Sequence, residues 1–422
     1  MTQKKKVCVC SDSIQNISGM GKVSLRVAKG FFDNGYDVSY FVITGQDSDK
    51  SCSYLYGDQY KDLFESMNIC NCQILDKSKA RLFDDFIYEE KPDIVFSLLD
   101  PWYLDQFEAS IYRDSFYWVA WCLFETPEYP EFIKQPNFLN PVSPAKSLFN
   151  PLRNADLCIP VSKMGKKILE DHDIKCTDNI YLGIDYDLRC NDNLTKKEVF
   201  GDAVNNDTFI FMTVGRNSER KKIDMVIEAF AQFLKSHKSD KNKYKLYVHS
   251  DFIESVSGTD LITLSSDFGI IDNVLFPTCF QKKEIMLDKD LYKRYKVCDA
   301  YIGLPAGEGF GLGFAEALLH DKPVIYLNYG AYKEYCTNYG YPVGVSAYYN
   351  ARDIHMKWAL PKLDEAAKHM SVCVDSKHKV DSSEYMKNNF DWNTVIIPKL
   401  VSTVEENAII KEKIPFKIQR VV

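Results

Sequence analysis

Short, uninterrupted apolar runs recur through this chain in two series, and each run leads into sequence of helical or loop character. The first series is Val7-Cys8-Val9-Cys10, Val38 to Ile43, Asp93-Ile94-Val95-Phe96-Ser97-Leu98-Leu99, Tyr117-Trp118-Val119-Ala120-Trp121 and Leu157-Cys158-Ile159-Pro160-Val161. A strand with one wet face alternates apolar and polar residues. A run that is apolar throughout is buried on both faces, the condition of a strand in a parallel sheet covered by helices. Between the first two runs, Val23, Val27, Phe31 and the neighbouring Ala28 and Phe32 give a helix its apolar side, and Asn34-Gly35 ends it. The second series starts at Phe209 to Val214, passes a helix near 222–236, and continues at Lys245 to Val248, Val274 to Phe276, Tyr301-Ile302 and Pro323 to Tyr326. At 422 residues the chain exceeds the size at which one core keeps growing. The expectation is therefore α/β, with two doubly wound parallel-sheet domains, residues 1–190 and 191–399. The polar stretch from Asp185 to Asp207 is the expected linker, and a C-terminal helix at about 400–422, foreshadowed by apolar positions from Val395 to Val404, is expected to pack back on the first domain.

Two turns in the second series carry chemistry. The run Ala300 to Leu304 leads to Glu308-Gly-Phe-Gly-Leu-Gly-Phe-Ala-Glu316, in which two carboxylates bracket a glycine-rich turn that opens into a helix with Phe314, Ala315, Ala317, Leu318 and Leu319 on its buried side. Gly309, Gly311 and Gly313 let a ligand approach the backbone, and the first N–H groups of the helix suit phosphate oxygens. A carboxylate accepts two hydroxyl hydrogen bonds side by side, which suits the vicinal diols of a ribose or hexose. The other turn, Gly215 to Lys222, places four cations, Arg216, Arg220, Lys221 and Lys222, at the C-terminal end of a parallel strand, the edge where open α/β sheets bind ligands. Arg216 and Lys221 can jointly neutralise a diphosphate. Taken alone, the two glutamates also suit a plain complement to the positive end of the helix, and the basic turn a solvated loop.

Together these segments, Gly215-Arg216 with Lys221, Glu308-Gly309-Phe310-Gly311, Glu316-Ala317 and Lys322-Pro323-Val324-Ile325, resemble the retaining GT-B glycosyltransferases of glycosyltransferase family four. Gly19-Met20-Gly21, Ala155-Asp156-Leu157, Val161-Ser162-Lys163, Gly183-Ile184-Asp185, Gly330-Ala331 with Glu334, and Asn389 to Trp392 extend the likeness over most of the chain. The resemblance implies two Rossmann-like domains facing each other across a cleft. It implies transfer of a sugar from a nucleotide diphosphate donor with retention at the anomeric carbon, to a glycan or other hydroxyl acceptor. It assigns Arg216 and Lys221 to the diphosphate, Glu316 to the ribose and Glu308 to the transferred sugar. Gly309, Phe310, Gly311 and Leu312 complete the donor site, with Gly19 and Gly21 near the same phosphates. Arg216, Lys221 and Glu308 are the expected catalytic residues, because stabilising the departing diphosphate is the main catalytic demand.

One departure falls on the acceptor side. Many family members have a histidine on the N-terminal domain, but the first of the seven histidines here is His172, beyond that position. Asp100, Trp121 and Glu125 are the candidates for the space. The absent histidine keeps open a catalytically inactive nucleotide-sugar-binding protein, and an epimerase on the same scaffold is a further alternative. Pro277 to Phe280 are candidates for the base pocket, and the donor order is GDP-mannose, then a UDP-hexose. Asp-x-Asp pairs at 47/49, 171/173, 185/187 and 288/290 share no context, and with Arg216 and Lys221 present no metal or other cofactor is expected.

Composition removes other classes. A net charge of −7 without a basic stripe argues against nucleic-acid binding through phosphate contacts. No apolar stretch reaches the roughly 18 residues of a membrane span, which leaves peripheral contact as the form of membrane association open to the chain. The thirteen cysteines are scattered, with no Cys-x-x-Cys pair, and read as buried thiols in a reducing compartment. The expected location is cytoplasmic, and the oligomeric state is left open.

Overall fold

The computed structural model describes residues 4–14, 18–44, 57–71, 79–128, 149–237, 239–252, 258–281, 286–351, 356–376 and 379–413. The chain forms two units, one of residues 1–124, 129–183 and 392–422, the other of 125–128 and 184–391. The first unit holds a sheet of β1 (Lys6–Asp12), β2 (Asp37–Thr44), β3 (Asn68–Asn71), β4 (Ile94–Ser97), β5 (Tyr117–Cys122) and β6 (Leu157–Pro160). Their order is β3-β2-β1-β4-β5-β6, with every neighbouring pair parallel. The second unit repeats the plan with β7 (Phe209–Val214), β8 (Tyr244–His249), β9 (Val274–Leu275), β10 (Ala300–Gly303), β11 (Val324–Leu327) and β12 (Gly340–Val343), in the order β12-β11-β10-β7-β8-β9, again all parallel. Both are doubly wound Rossmann-like sheets, whose strand order reverses between β1 and β4 and between β7 and β10.

The apolar runs are buried as double-sided coverage requires: β4, β5, β6, β10 and β11 are buried at every position. In the first unit, helix Gly19–Asp33 buries Val23, Val27 and Phe31, and Ser18 caps it by accepting the Gly21 N–H. In the second, helix Ile223–Ser236 buries Ile223, Val226, Ile227, Phe230 and Phe233 against β7, β8 and β10.

Several elements differ from the sequence expectation. The stretch 185–207 folds within the second unit as the short helices Tyr186–Leu188 and Lys196–Phe200, the latter closed by a capping box of Thr195 and Glu198, so the crossing lies at 183/184. The chain leaves that unit at Asp391, which forms a parallel bridge with Ile184. The C-terminal helix is Ile397–Asn407, and residues 408–413 continue without helix; 414–422 lie outside the described residues. This helix lies on helix Gly19–Asp33, where Gly30 leaves the space that Ile397 fills and Tyr36 donates to Glu405 at 3.3 Å. An antiparallel hairpin, β13 (Val345–Asn350) and β14 (Lys357–Pro361), follows β12 and had no counterpart in the apolar pattern. Among the described residues no helix is long and apolar enough to cross a membrane.

Gly183, where the chain leaves the first unit, sits against the Trp392 indole, and a Cβ there would lie 2.7 Å from ring carbons Cε2 and Cε3. Trp392 is buried against Trp121, so neither ring can yield without disturbing the core. Gly183→Ala is expected to destabilise the protein by about 1–3 kcal/mol, the usual cost of overpacking; an unchanged denaturation midpoint would contradict this packing.

Candidate active site

The two charged turns flank the point at which the second sheet reverses its strand order. Residues 215–222 leave the C-terminal end of β7 and residues 304–311 leave that of β10, its neighbour. Ligands of open α/β sheets bind at this crevice. The first turn ends at Lys222, whose φ of 52° is left-handed, a conformation that costs a non-glycine residue energy. Asn217 anchors it from the side: its amide donates to the Thr259 carbonyl at 2.7 Å and accepts the Thr259 N–H at 3.2 Å. The second turn ends at Gly311, at φ 91°, which opens helix Leu312–Leu319. The Tyr335 hydroxyl lies 2.7 Å from the Phe310 carbonyl oxygen and 2.9 Å from that of Gly311, fixing the glycine turn from behind.

The turns meet through Glu308. Its carboxylate receives the Lys221 ammonium and, at 3.2 Å, Arg220 Nη1, which also donates to the Gly307 carbonyl at 2.8 Å. The Arg220 carbonyl accepts the Ala306 N–H at 2.7 Å, and the Glu308 carbonyl accepts the Ala331 N–H at 3.0 Å. Gly330, at φ 105°, is needed there because a Cβ would come 3.0 Å from that carbonyl oxygen. Burial raises the Glu308 carboxyl, but Lys221 and Arg220 outweigh it and hold the group below its ordinary value. Lys221 is lowered chiefly by burial, against the attraction of Glu308.

The remaining expected residues take different places. Arg216 is exposed just beyond β7, and Lys222 is buried with its ammonium 4.9 Å from the centre of the Tyr349 ring. Glu316 is half-buried on its helix beside Tyr295, whose phenol is raised by burial and by the Glu316 charge. The Phe310 side chain is buried among Tyr335 and Phe390, so only its backbone can face a ligand; Gly309 is buried and Leu312 half-buried. His320 stays neutral at physiological pH, lowered to about 4 by burial, with Nδ1 on the Glu316 carbonyl and Nε2 accepting the Cys190 N–H. Of the base-pocket candidates, Pro277 and Cys279 are buried and Thr278 exposed, while the Phe280 side chain lies outside the described residues.

Gly19, Gly21 and Asp100 belong to the first unit: the glycines form the first turn of helix Gly19–Asp33, and Asp100 precedes the short 3-10 turn Pro101–Tyr103. Trp121 is a core residue there, its indole donating to the Ile180 carbonyl at 3.0 Å. Glu125 requires a correction. Sequence order suggested the first domain, yet residues 125–128 belong to the second unit, and Glu125 pairs with Arg220 Nε at 2.9 Å. Arg220 is the residue that sequence reasoning passed over. Its signal was adjacency to Lys221 in a cationic turn, which does not reveal which cation points at the carboxylates.

Residues 195–363 match the family model of glycosyl transferases group 1. Over that segment the chain is similar to a glycosyl transferases group 1 domain. This match includes β7 to β14 and with them Arg216, Arg220, Lys221, Glu308 and Glu316. The whole fold is that of solved GT-B glycosyltransferases. HepE of Anabaena, solved with UDP and glucose, superposes with a TM-score of 0.68 at 14% identity, covering 95% of this chain and 100% of its own. Sucrose-phosphate synthase of Thermosynechococcus elongatus gives 0.67 at 13% identity over 96% and 99% of the two chains. WaaG, a glycosyltransferase of lipopolysaccharide biosynthesis, gives 0.65 at 11% over 94% and 99%. No curated protein matches the sequence. Asp100, Glu125, Gly19 and Gly21 fall outside the segment matched by the group 1 domain.

Proposed function

We propose that the protein is a retaining glycosyltransferase that transfers a hexose from a nucleotide diphosphate sugar to a hydroxyl group of a glycan or other acceptor, without a metal. The observation that carries this reading is the convergence of Lys221 and Arg220 on Glu308 at the strand reversal of a group 1 domain. Lys221 has three donors, so it can serve a diphosphate oxygen while still holding Glu308. Arg216, exposed at the same sheet edge, supplies the second cation for the diphosphate. Glu308, kept ionised, accepts hydroxyl hydrogen bonds from the sugar, and Glu316 accepts those of the ribose. Positive groups fixed before the reaction stabilise the charge that grows on the departing diphosphate, and that leaving group takes the acceptor proton. The solved complexes of HepE with UDP and UDP-glucose support a UDP-hexose as donor, and GDP-mannose is the competing candidate.

A thermal-shift panel of UDP- and GDP-hexoses tests the donor class, with stabilisation expected for one nucleotide series and preserved in EDTA. A loss of transfer in EDTA that magnesium restores would contradict the metal-free reading. Arg216→Ala and Glu316→Ala each remove a charge-assisted contact of about 1.5–3 kcal/mol, which corresponds to roughly 10–100-fold weaker donor binding. Calorimetry showing unchanged affinity for both variants would contradict the assigned donor site.

A further inference from the structure

We propose that Glu125 is a positioning residue of the donor site: by holding Arg220 Nε it aims the guanidinium at Glu308, and so fixes the carboxylate that receives the sugar. The inference rests on the glycosyltransferase reading above and gives Glu125 a donor-side role in place of the acceptor-side role expected from its place in the sequence.

Residues 125–128 follow β5 of the first sheet, yet they fold with the second unit, and they are held there by both backbone and side chains. The Glu308 N–H donates to the Glu125 carbonyl at 2.6 Å, and Glu128 accepts from Lys357 of β14 at 2.7 Å. Gly307 is the residue that lets them pass, because a Cβ there would meet Thr126 Cγ2 at 2.9 Å and the Glu125 carbonyl oxygen at 3.1 Å. The strap thus touches the same two residues, Gly307 and Glu308, that Arg220 touches.

Arg220 closes the arrangement. Its Nε binds Glu125, its Nη1 binds both the Gly307 carbonyl and Glu308, and its own carbonyl accepts the Ala306 N–H. A guanidinium is a rigid planar fork, so fixing Nε fixes the direction of the other nitrogens. Glu125 is 8% exposed, and a carboxylate this buried is retained at a cost unless it is paired. Burial raises its carboxyl, Arg220 lowers it, and Glu308 raises it, which places the two carboxylates within each other's field. A plain counter-charge for Arg220 would not need a backbone hydrogen bond to Glu308 from the same residue.

The pH dependence separates aiming from simple charge balance. Glu308 is faced by Lys221 and Arg220 from the turn after β7, by Glu125 from the strap, by Tyr301 of β10, and by Tyr332 and Tyr335 beyond β11. If Glu125 only balances charge, Glu125→Gln removes a like charge and Glu308 titrates at lower pH. If Glu125 aims Arg220, the guanidinium moves off Glu308 in Glu125→Gln, and Glu308 titrates at higher pH.

The experiment measures donor KM, kcat and the acid limb of the kcat profile for the full-length wild type, Glu125→Gln, Glu125→Asp and Arg220→Lys, with melting temperatures taken in parallel. UDP-glucose and GDP-mannose serve as donors, with hydrolysis followed where no acceptor is accepted. For Glu125→Gln we expect kcat to fall roughly 10–100-fold, the equivalent of one charged hydrogen bond. Donor KM should change less than about threefold, and the acid limb should move to higher pH. Arg220→Lys should behave likewise, since lysine cannot hold both carboxylates through one planar group, and Glu125→Asp should recover part of the loss. Glu125→Asp decides the question if Glu125→Gln does not fold: it keeps the negative charge and shortens only the reach to Arg220 Nε, so a lower kcat with the acid limb moved to higher pH is the expected result. An active wild type whose kcat is unchanged in the folded variants, or whose acid limb moves to lower pH, overturns the inference and leaves the proposed function standing. A folded wild type that turns over neither donor overturns the glycosyltransferase reading, and the role of Glu125 falls with it.

Discussion

Lys221→Ala is expected to lower kcat/KM for the donor by about 10²–10³-fold, the scale on which removal of a fixed charge-stabilising group acts. Two losses combine. The cation proposed to meet the departing diphosphate is gone, and Glu308 keeps Arg220, at 3.2 Å, against the burial that raises its carboxyl. The Lys221 side chain is 24% exposed and that of Glu308 13%, so the stability loss should be about 1–3 kcal/mol, below that of a fully buried pair. The pH dependence has a definite sign. A carboxyl held below its unfolded value contributes stability that is complete above that value and lost as pH falls. In Lys221→Ala this depression is relieved, so the melting temperature should fall less than in wild type as pH is lowered from about 5 to about 3. Steady-state kinetics and melts at these pH values check both statements. A variant with wild-type kcat/KM would remove Lys221 from the site.

Glu308→Gln should separate the sugar from the nucleotide. The amide has the size of the carboxylate but loses the charge proposed to orient the hexose hydroxyls, so kcat should fall by about 10²-fold. Affinity for the free nucleotide diphosphate should be unchanged or higher, because Lys221 and Arg220 lose their competing anion. Glu316→Ala should do the opposite and weaken the nucleotide itself. Calorimetry with the nucleotide diphosphate alone, beside turnover with the sugar donor, distinguishes the two carboxylates. Equal loss of nucleotide affinity and turnover in Glu308→Gln would show that Glu308 does not face the sugar.

The central strands were legible because burial on both faces leaves an unbroken apolar run, as in Val7 to Cys10, Phe209 to Met212 and Ala300 to Gly303. Two of the edge strands, β3 and β12, carry no such mark. Asn68-Ile69-Cys70-Asn71 is bounded by asparagines, and Gly340-Tyr341-Pro342-Val343 contains a proline that an edge tolerates. The hairpin of β13 and β14 was missed because every residue of β13 is half-buried or exposed, which breaks the apolar signal. At the site, the spacing of Glu308 and Glu316 showed the carboxylates but not their partners. Lys221 and Arg220 are neighbours in sequence and both reach Glu308, whereas Lys222 from the same turn lies over the Tyr349 ring. Lys222 has a left-handed backbone, which residue type does not reveal. Glu125 was the hardest to place. Its role comes from a four-residue excursion of the chain into the second unit, fixed by long-range contacts to Arg220 and Glu308.

Proton NMR of the reaction tests the central claim most directly: the full-length protein is incubated with UDP-glucose or GDP-mannose in EDTA, and the anomeric proton of the earliest released or transferred sugar is followed. The account predicts turnover of one of these donors, with the first product in the donor's own anomeric configuration and with the signal lost in Lys221→Ala. A first product of opposite configuration would contradict retention, and a folded protein that turns over neither donor would contradict the assignment of the Glu308 site.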